Sequence, residues 1–93
     1  MTVVHVPGNK SRQIMLYALS TCGWCQKTKK LLDDLGVAYD YEYVDQLQGE
    51  EREEVIRKVT VWNPNCNFPT LVLDNKKCII GYKEDEIREA LQK

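Results

Sequence analysis

Residues 13–36 read Gln13-Ile14-Met15-Leu16-Tyr17-Ala18-Leu19-Ser20-Thr21-Cys22-Gly23-Trp24-Cys25-Gln26-Lys27-Thr28-Lys29-Lys30-Leu31-Leu32-Asp33-Asp34-Leu35-Gly36, and this stretch decides the fold. Its opening, Gln13 to Leu19, is a continuous apolar run with β-branched and aromatic members. That pattern predicts a strand buried on both faces, hence a central one. A short polar loop, Ser20-Thr21-Cys22-Gly23, follows. Cys25, Thr28, Leu31, Leu32 and Leu35 then recur at helical spacing, so a helix buries them while Lys27, Lys29, Lys30, Asp33 and Asp34 take the wet side. Gly36 stands where a glycine ends a helix. Two cysteines, Cys22 and Cys25, therefore sit three residues apart where a central strand turns into a helix.

Outward from this unit the chain alternates. Val37 to Val44 reads as a second strand, with Tyr39, Tyr41 and Tyr43 alternating against Asp40 and Glu42, and its polar face predicts an edge position. Gln48 to Val59 reads as a helix with Val55, Ile56 and Val59 as its apolar stripe and acidic residues in its first half, where the helix dipole favours them. Trp62 to Asn67 reads as a loop. Phe68-Pro69-Thr70 leads into a strand at Leu71-Val72-Leu73, Asp74-Asn75-Lys76 is a turn, and Cys78-Ile79-Ile80 returns as a hairpin strand that Gly81 stops. Lys83 to Gln92 reads as a last helix with Glu84, Asp85 and Glu86 in its first turn and Ile87, Ala90 and Leu91 on its core face. Before all this, Thr2 to Val6 has strand character, but Pro7-Gly8-Asn9-Lys10 breaks it. Residues 1–12 are accordingly read as an N-terminal extension outside the core, and 13–93 as one domain. The order βαβαββα implies an α/β sandwich whose first two strands are parallel with a right-handed crossover.

Composition narrows the classes. A chain of 93 residues supports one modest core. Its 43% hydrophobic and 29% charged content is that of a globular domain, which excludes disordered and collagen-like chains. Thirteen basic residues against fourteen acidic ones leave a net charge of −1, with no general attraction to nucleic acid or to an anionic membrane. No apolar run reaches the roughly 18 residues that span a bilayer, and Met1 to Lys10 lacks the apolar core of a signal peptide. The expected location is the cytoplasm, where four cysteines point to catalysis or metal binding rather than to a disulfide framework.

The Cys22-Gly23-Trp24-Cys25 spacing has a chemical reason. At the start of a helix, sulfurs three residues apart share a face and can close a small disulfide ring. The free N–H groups and the dipole of the helix N-terminus stabilise a thiolate at Cys22. Cys25 lies one turn in, on the apolar stripe, where burial favours the thiol. Cys22 is thus the expected nucleophile and Cys25 the thiol that resolves a mixed disulfide. The competing reading, a structural zinc site completed by Cys66 and Cys78, lacks a second close cysteine pair. A single histidine, His5, far from the cysteines argues against a Cys–His hydrolase. There is no glycine-rich phosphate loop. Cys66 reads as a free loop thiol, Cys78 as a packing residue, Trp62 as a packing or loop-anchoring residue, and the three tyrosines as plain strand residues.

From Gln13 to Leu91 the chain resembles the glutaredoxin branch of the thioredoxin-fold family. Four features carry the resemblance: the Cys22-Gly23-Trp24-Cys25 motif after the first strand; the run Cys25 to Leu32, similar to the helix that continues the glutaredoxin motif; Phe68-Pro69-Thr70, at the place of a cis-proline facing the cysteines; and Gly81 with the acidic helix start after it, where glutaredoxins bind glutathione. The resemblance implies a four-stranded mixed sheet, a cis Phe68–Pro69 bond, and a substrate groove formed by Trp24, Phe68, Pro69, Thr70, Gly81 and Tyr82. It also implies reduction of protein disulfides by a monomer that needs no cofactor beyond its own redox-active cysteine pair and draws electrons from a reductase. Departures bear on which reductant is used. Gly23-Trp24 replaces the usual Pro-Tyr, no lysine stands just before Cys22, and Tyr82 replaces a second glycine after Gly81. These point away from glutathione and toward microbial redoxins served by a thioredoxin-type reductase. The alternative that Gly23 keeps open is a [2Fe–2S] carrier, in which the first cysteine and glutathione bridge a cluster between two subunits.

Overall fold

The computed structural model describes residues 3–9, 12–64, 67–74 and 76–91. In chain order the elements are β1 (Val4–Val6), β2 (Ile14–Ala18), α1 (Gly23–Asp34), β3 (Tyr39–Tyr43), a 3₁₀ turn (Val44–Gln46), α2 (Gly49–Trp62), β4 (Thr70–Leu73), β5 (Lys77–Ile80) and α3 (Glu84–Leu91). They form one mixed sheet in the order β1-β3-β2-β4-β5. The apolar β2 is central as its composition requires, parallel to β3 and antiparallel to β4. The hairpin β4–β5 is antiparallel; of its expected turn, Asn75 lies outside the described residues, as does Gln92 at the expected end of the last helix.

Strand alternation sorts the core into two layers. Ile14, Leu16, Ala18, Tyr39, Leu71, Leu73 and Ile79 point to one face, where Cys25, Leu31 and Leu32 of α1 and Ile87 and Leu91 of α3 cover them. On the other face Val55 and Val59 of α2 pack with Val44 and Leu47, against Tyr17 and Leu19. Phe68 touches both layers as its segment rounds the end of the sheet.

The sheet differs from expectation in two linked ways. It has five strands rather than four, and β3 is not an edge. Val4–Val6 pairs antiparallel along β3, with His5 opposite Asp40. The polar residues of β3 misled because each has a local use. Asp40 accepts from His5 Nδ1 at 2.6 Å, and Glu42 is buried, 4% exposed, under the α2 side. The lysines of α1 are not all on a wet side either: Lys29 is half-buried, with its Nζ 4.1 Å from the centre of the Tyr41 ring. Helix α2 runs on to Trp62, three residues past the expected stop. It ends where Asn63 donates its N–H to Val59 O at 2.7 Å and its side chain to Asn67 O at 2.9 Å.

Gly8 is what lets the N-terminal segment lie down. Asn9 donates to Gly36 O at 2.8 Å and accepts from Ala38 N–H at 3.0 Å. A Cβ on Gly8 would sit 2.7 Å from Val37 C and 2.8 Å from Gly36 O, closer than real Cβ atoms come to backbone. Gly8→Ala should therefore free β1 from β3 while the other four strands stay folded. Hydrogen exchange checks this: the Val4 and Val6 amides lose protection and those of Leu16 and Leu71 keep it.

Candidate active site

The parallel pair β2–β3 brings the loops after both strands to one end of the sheet, and the site is built there. Cys22 is the residue before α1, in extended conformation at φ −89° and ψ 118°. Its Sγ accepts the N–H of Cys25 at 3.2 Å, so the sulfur itself caps the helix. No acidic residue lies in the first turn of α1 to offset the positive end of the helix dipole. Cys22 is partly exposed, whereas Cys25 is fully buried among the core residues of its face. Burial, then the hydrogen bond with Cys22, and the negative charges of Cys22 and Asp45 push the Cys25 thiol up to about 12, against an opposing contribution from the Leu19 backbone. The two sulfurs thus have unequal surroundings: one reachable, the other dry and protonated at neutral pH.

Beside the dithiol lies a shallow groove of about 240 Å³ lined by Trp24, Phe68, Pro69, Gly81 and Tyr82. Pro69 is buried and follows a cis peptide bond. Its carbonyl accepts the Gly81 N–H at 2.8 Å, which holds the start of β4 against the end of β5. Gly81 has φ +85°, a left-handed conformation that disfavours a side chain. Tyr82 then crosses the groove and stacks on Trp24, with ring centroids 5.8 Å apart and planes 27° apart. Trp24 is 58% exposed, and Lys27 Nζ lies 4.7 Å from the centre of its ring. The Tyr82 hydroxyl donates to Glu84 Oε1 at 3.3 Å, and Glu84 also pairs with Arg88 at 2.8 Å.

Six of the eight residues singled out from sequence, Trp24, Phe68, Pro69, Gly81, Tyr82 and Cys22, face this end of the molecule around buried Cys25. Thr70 is placed differently. It is fully buried, and its hydroxyl donates to Asn67 O at 2.7 Å and accepts from Asn63 Nδ2 at 3.3 Å, which anchors the loop leading to Pro69. Cys78 donates to Trp62 O at 3.3 Å. Among the described residues no three His, Cys, Asp or Glu side chains gather as a metal site, so Cys78 does not join Cys22 and Cys25 in one; Cys66 lies outside the described residues. Two residues went unnoticed in the sequence, Ser20 and Asp45. Asp45 accepts the Ser20 N–H at 2.8 Å and the Ser20 hydroxyl at 2.5 Å. Its signal was positional: a carboxylate just past the C-terminal end of a strand parallel to the one that precedes the dithiol, where α/β sheets place their sites.

A dithiol mounted on the strand–helix junction of a mixed sheet, with a cis-proline next to it, puts this chain in the class of thioredoxin-fold proteins. Comparison with known proteins narrows the class. A family model described as Glutaredoxin matches residues 14–79. Glutaredoxin 1 of Rickettsia prowazekii (strain Madrid E) is 36% identical over 69 residues, covering 72% of this chain and 70% of that protein. Among solved structures, the glutaredoxin from Methanosarcina mazei Go1 is 50% identical, with a TM-score of 0.90 over 98% of this chain and 88% of that one. Methanosarcina acetivorans methanoredoxin is 51% identical, with a TM-score of 0.87 over 90% and 88% of the two chains. The chain belongs to the glutaredoxin family. Members of that family are thiol–disulfide oxidoreductases, and with the cysteine pair in place this chain is one. Among the described residues no helix is long and apolar enough to cross a membrane.

Proposed function

We propose that the protein reduces disulfides of other proteins through Cys22 and Cys25 and is itself re-reduced by a thioredoxin-type reductase rather than by glutathione. The Cys22 thiolate attacks one sulfur of the substrate disulfide; that S–S bond breaks, a mixed disulfide forms, and the departing substrate sulfur takes up a proton. Cys25 then gives up its proton and attacks Cys22 Sγ, which forms the Cys22–Cys25 disulfide and releases the second substrate thiol. Two electrons and two protons from the reductase restore the dithiol. The inequality of the two sulfurs supports these roles: the partly exposed one meets the substrate, and the fully buried one reaches only its neighbour. In this reading the protein works as a monomer in the cytoplasm and needs no bound cofactor.

The observation that carries the choice of reductant is the Trp24–Tyr82 stack. Its two rings fill part of the space beside Gly81, where the resemblance puts glutathione. The test supplies electrons to a protein disulfide from glutathione with its reductase in one arm and from a thioredoxin-type reductase in the other. Turnover is expected in the second arm only. Tyr82→Gly should raise the glutathione-driven rate on the order of tenfold, because the ring that narrows the groove is gone. Equal turnover of the parent protein in both arms overturns the assignment. Failure of both arms, with visible absorbance after anaerobic iron–sulfur reconstitution that Cys22→Ser removes, favours the [2Fe–2S] carrier instead.

A further inference from the structure

Three short segments meet beside the dithiol: the loop after β2, the start of α1, and the 3₁₀ turn after β3. Strands β2 and β3 are parallel and in register, Ala18 beside Tyr43, so the segments that leave them lie next to each other. Across that junction runs a two-point tether. Asp45 Oδ1 takes the Ser20 N–H at 2.8 Å and Oδ2 takes the Ser20 hydroxyl at 2.5 Å. The rest of the path to the nucleophile is one turn, closed by the Cys22 N–H donating to Leu19 O at 3.2 Å. Ser20 therefore sits inside the turn that aims Cys22 at the Cys25 N–H, and one carboxylate holds both of its donors. The Asp45 side chain is otherwise exposed, while its neighbours Val44 and Leu47 pack with Leu19 in the core.

We infer that Asp45 is a positioning residue for the redox reaction: its carboxylate holds Ser20 so that Cys22 stays in its helix-capping geometry. Two features agree with this. The Ser20 hydroxyl and amide, and beyond them Arg52, hold the Asp45 carboxyl below the usual carboxylate range, so it is an anion throughout the working pH range. A sulfur that must stay at the end of a helix gains its stabilisation only within that last turn, so a loosened loop weakens it steeply. The titratable and charged groups facing the dithiol are Asp45 from the 3₁₀ turn and, for each sulfur, the other cysteine, with Arg52 of α2 behind Asp45.

This inference rests on the roles given to Cys22 and Cys25, and its test reads the two sulfurs separately. The reduced protein is alkylated with iodoacetamide across pH, and mass spectrometry assigns the label to each cysteine. In Asp45→Ala protein-disulfide reduction should slow about three- to tenfold, and Cys22 labelling at pH 7 should slow with it. Asp45→Asn keeps one acceptor for Ser20 and should slow both by less. Should Asp45→Ala fail to fold, Ser20→Ala removes only the hydroxyl contact, keeps the Asp45 charge, and should slow Cys22 labelling in the same direction. Cys22 labelling rates that match the parent's in both Asp45→Ala and Ser20→Ala overturn the inference. Label that goes first to Cys25 overturns the underlying assignment of roles instead.

Discussion

Cys22→Ser abolishes the reduction of protein disulfides: the rate should fall on the order of a thousandfold or more, to the background of the reductant alone. The size follows from where the other thiols are. Cys25 has no exposed surface and a thiol pushed up to about 12, so less than about one part in ten thousand is thiolate at pH 7. Cys78 is engaged with Trp62 O and has no partner cysteine among the described residues. Neither can stand in for Cys22. The companion variant separates attack from resolution. Cys25→Ser leaves the helix cap and the groove in place but removes the second sulfur, so the protein should accumulate as a mixed disulfide with its substrate. Non-reducing electrophoresis reads both results. Reduction by Cys22→Ser at more than a few per cent of the parent rate would place the nucleophile elsewhere.

Leu16→Ala should cost about 2–5 kcal/mol of folding stability. Leu16 has no exposed surface and stands at the middle of the central strand, beside Tyr41 on one neighbour and Leu71 on the other. Its layer is closed by α1 and α3, so the space left by the side chain cannot fill by a small shift of one element. In a domain of this size each kcal/mol moves the midpoint of thermal unfolding by about 4–8 °C, so a fall of at least roughly 10 °C is expected. Circular dichroism of the reduced protein measures it. A change below about 2 °C would mean that the two-layer core is assembled differently. The contrast with Gly8→Ala is informative, because that change should detach only the edge strand and leave the same transition nearly in place.

Much of the molecule was legible in the chain because the signals are local. The apolar run at β2, the 3–4 spacing of Cys25, Thr28, Leu31 and Leu32, and the turn-rich boundaries each follow from side chains within a few residues of one another. The edge of the sheet was not local. Whether β3 is covered depends on Val4–Val6, more than thirty residues away, and on a close backbone approach at Gly8 that composition does not announce. The end of α2 depends likewise on Asn63 finding Asn67 and Thr70 across a loop.

For function the division is similar. The sequence by itself determined the chemistry: a cysteine pair at three-residue spacing, opening a helix after a central strand, with Phe68-Pro69 and Gly81 farther along to flank it. Those identities are covalent facts, readable before any fold is known. The apolar stripe already set Cys25 apart from Cys22, and the tertiary structure decided how far, because complete burial of Cys25 is a property of the assembled layer. It also decided that Trp24 and Tyr82, 58 residues apart, stack along the groove, and that Thr70 turns inward to hold a loop. It alone brought Asp45 to Ser20, because parallel strands place their outgoing loops side by side, and that adjacency exists only once the sheet has formed.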